Sequence, residues 1–177
     1  MAMNQALREA MNDQIRHELY SAYLYLSMAA YFEALNLPGF AHWMRVQARE
    51  EVGHAMKFFD HLCDRGERVI LQAIEQPPVD FSSPQEAFAQ ALQHERRVTG
   101  RIRNLYQIAV RENDPSSLPL LHWFLEEQIE EEKSVEQILE ALRRIGEDGT
   151  GLVMMDRELA RREAERTGTI LRRISKG

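Results

Sequence analysis

A single cysteine, Cys63, stands in 177 residues. That excludes an intrachain disulfide framework and any Cys-rich zinc or iron–sulfur site, and it points to a reducing compartment, the cytosol. Long apolar runs are missing too: none approaches the ~18 residues of a membrane span. The opening MAMNQALREAMNDQ has neither the basic start nor the apolar core of a secretory signal. Positive charge is in deficit, with 22 Lys and Arg against 28 Asp and Glu, so neither nucleic acid nor an anionic membrane is an expected partner. There is no internal repeat and no low-complexity tract. Strand patterning is confined to a short extended piece at Val69, Ile70 and Leu71. The length is right for one well-buried domain covering 1–177.

What the chain does contain is helical patterning. A first helix is expected over about 4–35, broken by Asn36-Leu37-Pro38-Gly39, where Asn36 or a neighbour can cap the next and Pro38 suits a first-turn position. The second is expected over about 38–65, stopped at Arg65-Gly66. Residues 67–83 are the least helical stretch and hold Pro77-Pro78. Extended at ~3.3 Å per residue, they can run the length of a bundle. Helices two and three then point the same way. Ser83-Pro84-Gln85-Glu86 reads as a capping box opening a third helix, about 84–112. A fourth follows over about 118–145, ending at Gly146. A Gly-rich linker precedes a short fifth helix, about 152–166, and a tail, 167–177. The expected fold is all-α: a four-helix bundle with one long crossover and a short fifth helix.

Each of the four long helices carries a carboxylate or amide at mid-length on its apolar stripe. Glu18 interrupts Leu7, Met11, Gln14, Ala22, Tyr25, Met28, Phe32. Glu51 and His54 interrupt Phe40, Met44, Gln47, Phe58, Leu62; Glu95 interrupts Phe88, Leu92, Thr99, Ile102, Leu105; Gln128 and Glu131 interrupt Leu121, Leu125, Val135, Ile138, Leu142. In a bundle these interruptions meet at one level. An unpaired buried carboxylate costs on the order of several kcal/mol even after relaxation, and no Lys or Arg shares a stripe with them. A pair of divalent metal ions is the simplest neutralising partner.

Glu51-x-x-His54 puts a carboxylate and an imidazole on one helix face, able to bind the same ion. The general dinuclear carboxylate pattern takes one Glu from each of two helices and Glu-x-x-His from each of the other two. Three quarters of that is present; the fourth helix offers Gln128 and Glu131, with Glu127 and Glu130 beside them. Mainly oxygen ligands with one imidazole suit Fe²⁺ or Mn²⁺. The expected arrangement has Glu18 and His54 on one iron, Glu95 on the other and Glu51 bridging. Two metals roughly 3.5–4 Å apart can bind both ends of one small molecule, and with no organic substrate pocket expected, that molecule is O₂ or peroxide. Glu126 and Glu132 are expected on a solvated face. His17, His42, His61, His94 and His122 are expected at the surface or in caps, Cys63 as a small buried residue.

Asn12-x-Gln14-Ile15-x-x-Glu18-Leu19-Tyr20-Ser21-Ala22-Tyr23-Leu24-Tyr25-Leu26 resembles the first-helix signature of the non-haem ferritins of bacteria and archaea. So do Phe40-x-x-Trp43-Met44-x-x-Gln47-x-x-Glu50-Glu51-x-x-His54-Ala55-x-x-Phe58 and Trp123-Phe124-x-Glu126-Glu127-Gln128-x-Glu130-Glu131-Glu132. The similarity runs from about residue 4 to 161. It implies a ferritin-like fold and a ferroxidase centre of Glu18, Glu51, His54 and Glu95, with Gln128 hydrogen-bonding nearby. It also implies a third, weaker iron site of Glu50, Glu127, Glu130 and Glu131, and a Tyr25 that bonds near the bridging carboxylate and supplies an electron. The family's assembly is a shell of twenty-four subunits around a ferric oxide mineral, with the fifth helix, here Leu152 to Leu159, near the four-fold axes. Haem is not expected, because the haem-binding relatives have a second Glu-x-x-His and a methionine where Val52 stands.

Two other functions compete with iron oxidation and storage. One is a bundle holding a metal pair, zinc for instance, without turnover. Structural zinc, however, favours closed Cys/His tetrahedra. The other is a metal-free signalling bundle, which gives the central acids no purpose. Val69, Ile70, Leu71 and the apolar residues of the fifth helix leave patches on a monomer that favour self-assembly.

Overall fold

Asn4 opens the first helix, α1 (Gln5–Ala34), by accepting a hydrogen bond from Ala6 N at 2.7 Å in the computed structural model, which describes residues 3–163. Asn36 turns the chain out of α1 from the left-handed region, at φ 56°, which asparagine tolerates. Of the expected candidates for capping α2 (Pro38–Asp64), Asn36 or a neighbour, the position falls to the neighbour. Leu37 is the cap residue and makes no side-chain bond. Asp156, far along the chain, supplies the acceptor instead, taking Phe40 N at 2.9 Å. Gly66, at φ 72°, lets Glu67 N return to Leu62 O at 2.8 Å and ends α2.

The crossover lies along α1. Ile70 N donates to Asn12 Oδ1 at 2.7 Å near one end, and Ser27 Oγ donates to Pro78 O at 2.5 Å nearer the other. Helices α2 and α3 (Pro84–Arg111) therefore run the same way. Val69, Ile70 and Leu71 form no strand. Of the capping box, one half forms: Ser83 Oγ accepts from Glu86 N at 3.0 Å, while Glu86 takes Gln90 Nε2 at 3.1 Å. A 3-10 turn (Pro115–Ser117) leads into α4 (Leu118–Ile145). Helix α5 (Gly149–Leu159) begins ahead of the expected 152, because Asp148 accepts from Thr150 N at 3.0 Å and Gly151 N at 3.2 Å. It ends at Leu159, short of the expected 166, in a turn at Ala160 and Arg161. The last residues of the expected helix, 164–166, and the tail 167–177 lie outside the described residues.

Helix α1 packs on α2 and on α3, α3 packs on α4, and α5 lies against α2. Two apolar clusters fill the bundle. One holds Met28, Phe32, Phe40, Trp43, Phe88, Leu139 and Leu159, with Phe32 and Phe40 stacked at 5.0 Å. The other holds Leu7, Met11, Phe58, Leu62, Ile102 and Phe124, with Phe58 and Phe124 stacked at 4.4 Å. Each fully buried Phe or Leu contributes about 1.5–3 kcal/mol. The mid-helix acids lie in the sequence interval between these clusters on every long helix. No helix among the described residues is long and apolar enough to cross a membrane.

Two expectations about burial also fail. Cys63 is exposed, because it lies in the last turn of α2 next to Leu62, and Leu62 takes the inward direction. His94 is not at the surface. It is buried with Ser21 Oγ 2.7 Å from its Nε2, since small Ser21 leaves room for an imidazole between α1 and α3.

Candidate metal centre

Because the interruptions fall on inward stripes, folding drags them inside together. Glu18, Glu51, His54, Glu95, Gln128 and Glu131 are each no more than 5% exposed. Three groups of ligand atoms lie within 4.8 Å of one another: Glu18 with Glu51 and His54, Glu51 with Glu95 and Glu131, and His54 with Glu127 and Glu131. Glu51 belongs to the first two, His54 to the first and third, and Glu131 to the second and third.

Amides and a phenol aim the carboxylates. Gln14 Nε2 donates to Glu18 Oε1 at 2.7 Å, and Glu18 Oε2 is buried without a hydrogen-bond partner. Gln47 Nε2 donates to Glu131 Oε2 at 2.5 Å and Glu51 Oε1 at 3.3 Å. Gln128 Nε2 donates to Glu95 Oε2 at 3.2 Å, and the Tyr25 hydroxyl donates to Glu95 Oε1. Tyr25 thus binds Glu95 and not Glu51, the acid shared by the two groups. His54 Nδ1 lies 3.2 Å from Glu51 Oε2, and its Nε2 lies 3.8 Å from Glu127 Oε1. Among the described residues, no Lys or Arg forms an ion pair with Glu18, Glu51, Glu95 or Glu131.

The electrostatics follow from burial and crowding of like charges. Burial pushes Glu51 well above the usual carboxylate range, and Glu95 adds to this against the pull of His54. Burial raises Glu95 to about 7, opposed by its bonds from Tyr25 and Gln128. Glu131 is raised to about 8 by burial and by Glu95. Burial pulls His54 down, yet Glu51 and Glu127 outweigh it and hold the imidazole well above its ordinary value. The Tyr25 hydroxyl is raised by burial and then by Glu95 and Glu51, so it stays a donor. At neutral pH the protein alone balances this cluster with protons. Such a cluster can exchange those protons for divalent cations, and Glu18 Oε2 is an acceptor lacking a donor.

The residues expected around a third site behave differently from one another. Glu127 is partly buried and converges with His54 and Glu131. Glu130 is exposed and joins none of the three groups. Glu50 is engaged by Arg162, whose Nη2 lies 2.6 Å from Glu50 Oε2. Glu126 is exposed, whereas Glu132 accepts from Thr99 Oγ1 at 2.7 Å. Gln14, Gln47 and Arg162 were not singled out from sequence. The two amides had a signal: each sits on the inward stripe four residues ahead of a buried acid. Arg162 had none: the sequence reading puts it inside the fifth helix, whereas in the structure it follows α5.

A family model described as the ferritin-like domain matches residues 8–145. The bacterial non-heme ferritin of Staphylococcus saprophyticus is 40% identical over 160 residues, covering 90% of this chain and 96% of that protein. The corresponding protein of Staphylococcus aureus is 39% identical over the same span. Among solved structures, an open-pore ferritin from the hyperthermophilic archaeon Archaeoglobus fulgidus superposes with a TM-score of 0.90 at 48% identity, covering 92% of this chain and 99% of that one. Sequence, fold and the mid-bundle acids therefore converge, and the chain belongs to the ferritin family.

Proposed function

We propose that the protein is a ferroxidase that stores the iron it oxidises. The observation that carries this reading is the convergence of Glu18, Glu51, His54, Glu95 and Glu131 in a buried cluster that no Lys or Arg neutralises among the described residues. Ferrous iron is the substrate. Glu18 and His54 hold one Fe²⁺, Glu95 and Glu131 the other, and Glu51 reaches both. Mainly oxygen ligands with one imidazole suit iron and tolerate its change of charge. Each Fe²⁺ gives up one electron, so two ions and two protons convert O₂ to H₂O₂, or H₂O₂ to two waters. Gln14, Gln47 and Gln128 keep the carboxylates aimed while the ions come and go. Tyr25, one hydrogen bond behind Glu95, is placed to supply the second electron when only one Fe²⁺ is bound, its proton passing by way of Glu95 to the reduced oxygen, so that one Fe²⁺, Tyr25 and one further proton convert O₂ to H₂O₂ and leave Tyr25 one electron short.

Product ferric ions leave by a third, weaker position built on Glu127 with Glu131 and His54, with Glu50 and Glu130 beyond it. Copies of the chain form a 24-subunit cage in the cytoplasm, and ferric oxyhydroxide accumulates in its cavity. Haem has no part in this reading. Storage and detoxification are one reaction here, because iron held as mineral cannot react with peroxide outside.

The test is to add Fe²⁺ in air and follow ferric absorbance. Glu51→Ala and His54→Ala should each lose most of the rate, and a rate equal to the parent's overturns the proposed centre. A bundle that only buffers metal binds Fe²⁺ and leaves it ferrous. Light scattering that finds a stable monomer removes the cage, and with it storage.

A further inference from the structure

Glu132 is expected on a solvated face, yet its Oε1 takes the hydroxyl of Thr99, on α3, at 2.7 Å. Thr99 Oγ1 in turn receives Gln128 Nε2 at 3.3 Å, and the same nitrogen donates to Glu95 Oε2 at 3.2 Å. It also lies 3.3 Å from the Glu95 carbonyl oxygen. A continuous run of hydrogen bonds therefore joins an acid at the rim of α4 to a buried acid of the metal centre. The Glu132 side chain is 31% exposed, with Arg96 Nε 4.0 Å from its Oε2. Inward of it, Thr99 is half-buried and Gln128 and Glu95 are buried.

The direction of the run follows from counting protons. A threonine hydroxyl has one proton to give. Two acceptors compete for it: Glu132 Oε1 at 2.7 Å and the Glu95 carbonyl, one helical turn back, at 3.1 Å. The carboxylate wins, because a charge-assisted bond is shorter and about twice as strong. With its proton drawn outward, Thr99 can only accept from Gln128. An amide can face either way, and its two faces are opposite in kind. Gln128 must then present NH₂ to Thr99, and that NH₂ also reaches Glu95 Oε2. Turned over, its oxygen would meet the Thr99 lone pairs and the Glu95 carboxylate together. We infer that Thr99 and Glu132 are positioning residues for the metal centre. Glu132 sets the Thr99 hydroxyl, the hydroxyl sets the Gln128 amide, and the amide holds Glu95 on its ion. This rests on the metal-centre reading above. Glu95 groups with Glu51 and Glu131, whereas Glu18 and His54 group with Glu51 alone, so the effect falls on one ion of the pair.

Anaerobic titration of the assembled protein with Co²⁺, which binds without turning over, reads this directly. Crystals soaked at limiting Co²⁺ and measured at the cobalt edge give the occupancy of each position. Thr99→Val keeps the shape and removes the hydroxyl. It should weaken the ion on Glu95 about fivefold, the worth of one net hydrogen bond, and leave the ion on Glu18 and His54 unchanged. Thr99→Ser should restore the parent's affinity. Glu132→Ala should weaken the same ion and add nothing to Thr99→Val, since both break one run. Glu126→Ala removes an equal charge from an exposed position of the same helix and should change neither ion. A Thr99→Val protein that fills both positions as the parent does overturns the inference. So does an equal loss at both positions, which a damaged fold would give. If Thr99→Val fails to assemble, Glu132→Ala against Glu126→Ala still decides, and equal affinities overturn it. A parent that holds no Co²⁺ pair fails the metal-centre reading itself, and the inference falls with it.

Discussion

Metal-free protein should lose stability as pH rises above 6.5, and Glu131→Gln should remove its own share of the loss, with Glu51, Glu95 and His54 supplying the rest. Above that pH the unfolded chain's carboxyls and imidazoles have already released their protons. In the folded protein Glu95 titrates at about 7, Glu131 at about 8, and His54 is held well above its ordinary 6.5. The native state thus holds protons that the unfolded state lacks, and raising the pH strips them from the native state alone. Stability must fall. For Glu131, the interval from pH 6.5 to about 8 at about 1.4 kcal/mol per pH unit amounts to about 2 kcal/mol. For a chain of this size that is a drop of about 4–8 °C in unfolding midpoint. Below pH 6.5 the buried imidazole of His94, depressed to about 3 by burial and by Arg97, acts with the opposite sign, so the alkaline limb is the clean window. The assay is thermal unfolding with chelator at fixed protein concentration, from pH 6.5 to 9, for the parent and Glu131→Gln. Co²⁺ should abolish the slope, because it replaces the protons. A parent midpoint that is flat or rising over this interval refutes the picture of proton-neutralised buried acids.

Gly39→Ala should dislodge α5, because a Cβ there would lie 1.7 Å from the Asp156 carbonyl oxygen. The expected cost is about 1–3 kcal/mol, seen as a lower midpoint and faster proteolysis after residue 146; an unchanged midpoint contradicts the close approach. Tyr25→Phe removes the hydroxyl that donates to Glu95. It should cost about 1 kcal/mol of stability and slow Fe²⁺ oxidation while Co²⁺ still fills the tight pair; an unaltered oxidation rate removes Tyr25 from the reaction. Phe58→Ala takes one ring from the stack with Phe124. The loss should be about 3–5 kcal/mol in chemical denaturation, and under about 1 kcal/mol would mean the cluster collapses around the gap.

Sequence revealed most of the fold because its punctuation is local. Proline at a first turn, glycine at a positive φ and Ser83 as a cap act within a few residues of themselves, so four long helices and the crossover could be read directly. The burial of the mid-bundle acids was legible for a related reason. An amphipathic stripe states which residues must go inside, and Glu18, Glu51 and Glu95 contradict it in the same register on three helices. What sequence hid depends on distant partners. Asn36 or a neighbour was the expected cap for α2; the neighbour Leu37 takes the position without a side-chain bond, and the acceptor at Phe40 is the distant Asp156. His94 looked like a surface residue, yet only the packing of α1 against α3 shows that Ser21 leaves it room. Arg162 lies beyond the last helix and acts on residues of the second. No periodicity connects them.

The placement of charge explains why such a costly centre can persist. Acids scattered through an apolar core would each demand their own compensation. Here Glu51, Glu95 and Glu131 crowd within 4.8 Å, so a proton or cation that neutralises one acts on all three. Crowding also makes the exchange steep: removing a proton from one acid hardens removal from the next unless a cation enters. The permanent cation Arg162 is kept at the edge, on Glu50 and the far side of Gln47. Placed on Glu51 itself, a guanidinium would neutralise the acids for good and leave no reason for metal to enter. A fixed charge at the rim and mobile charges at the centre therefore divide the work between stability and turnover.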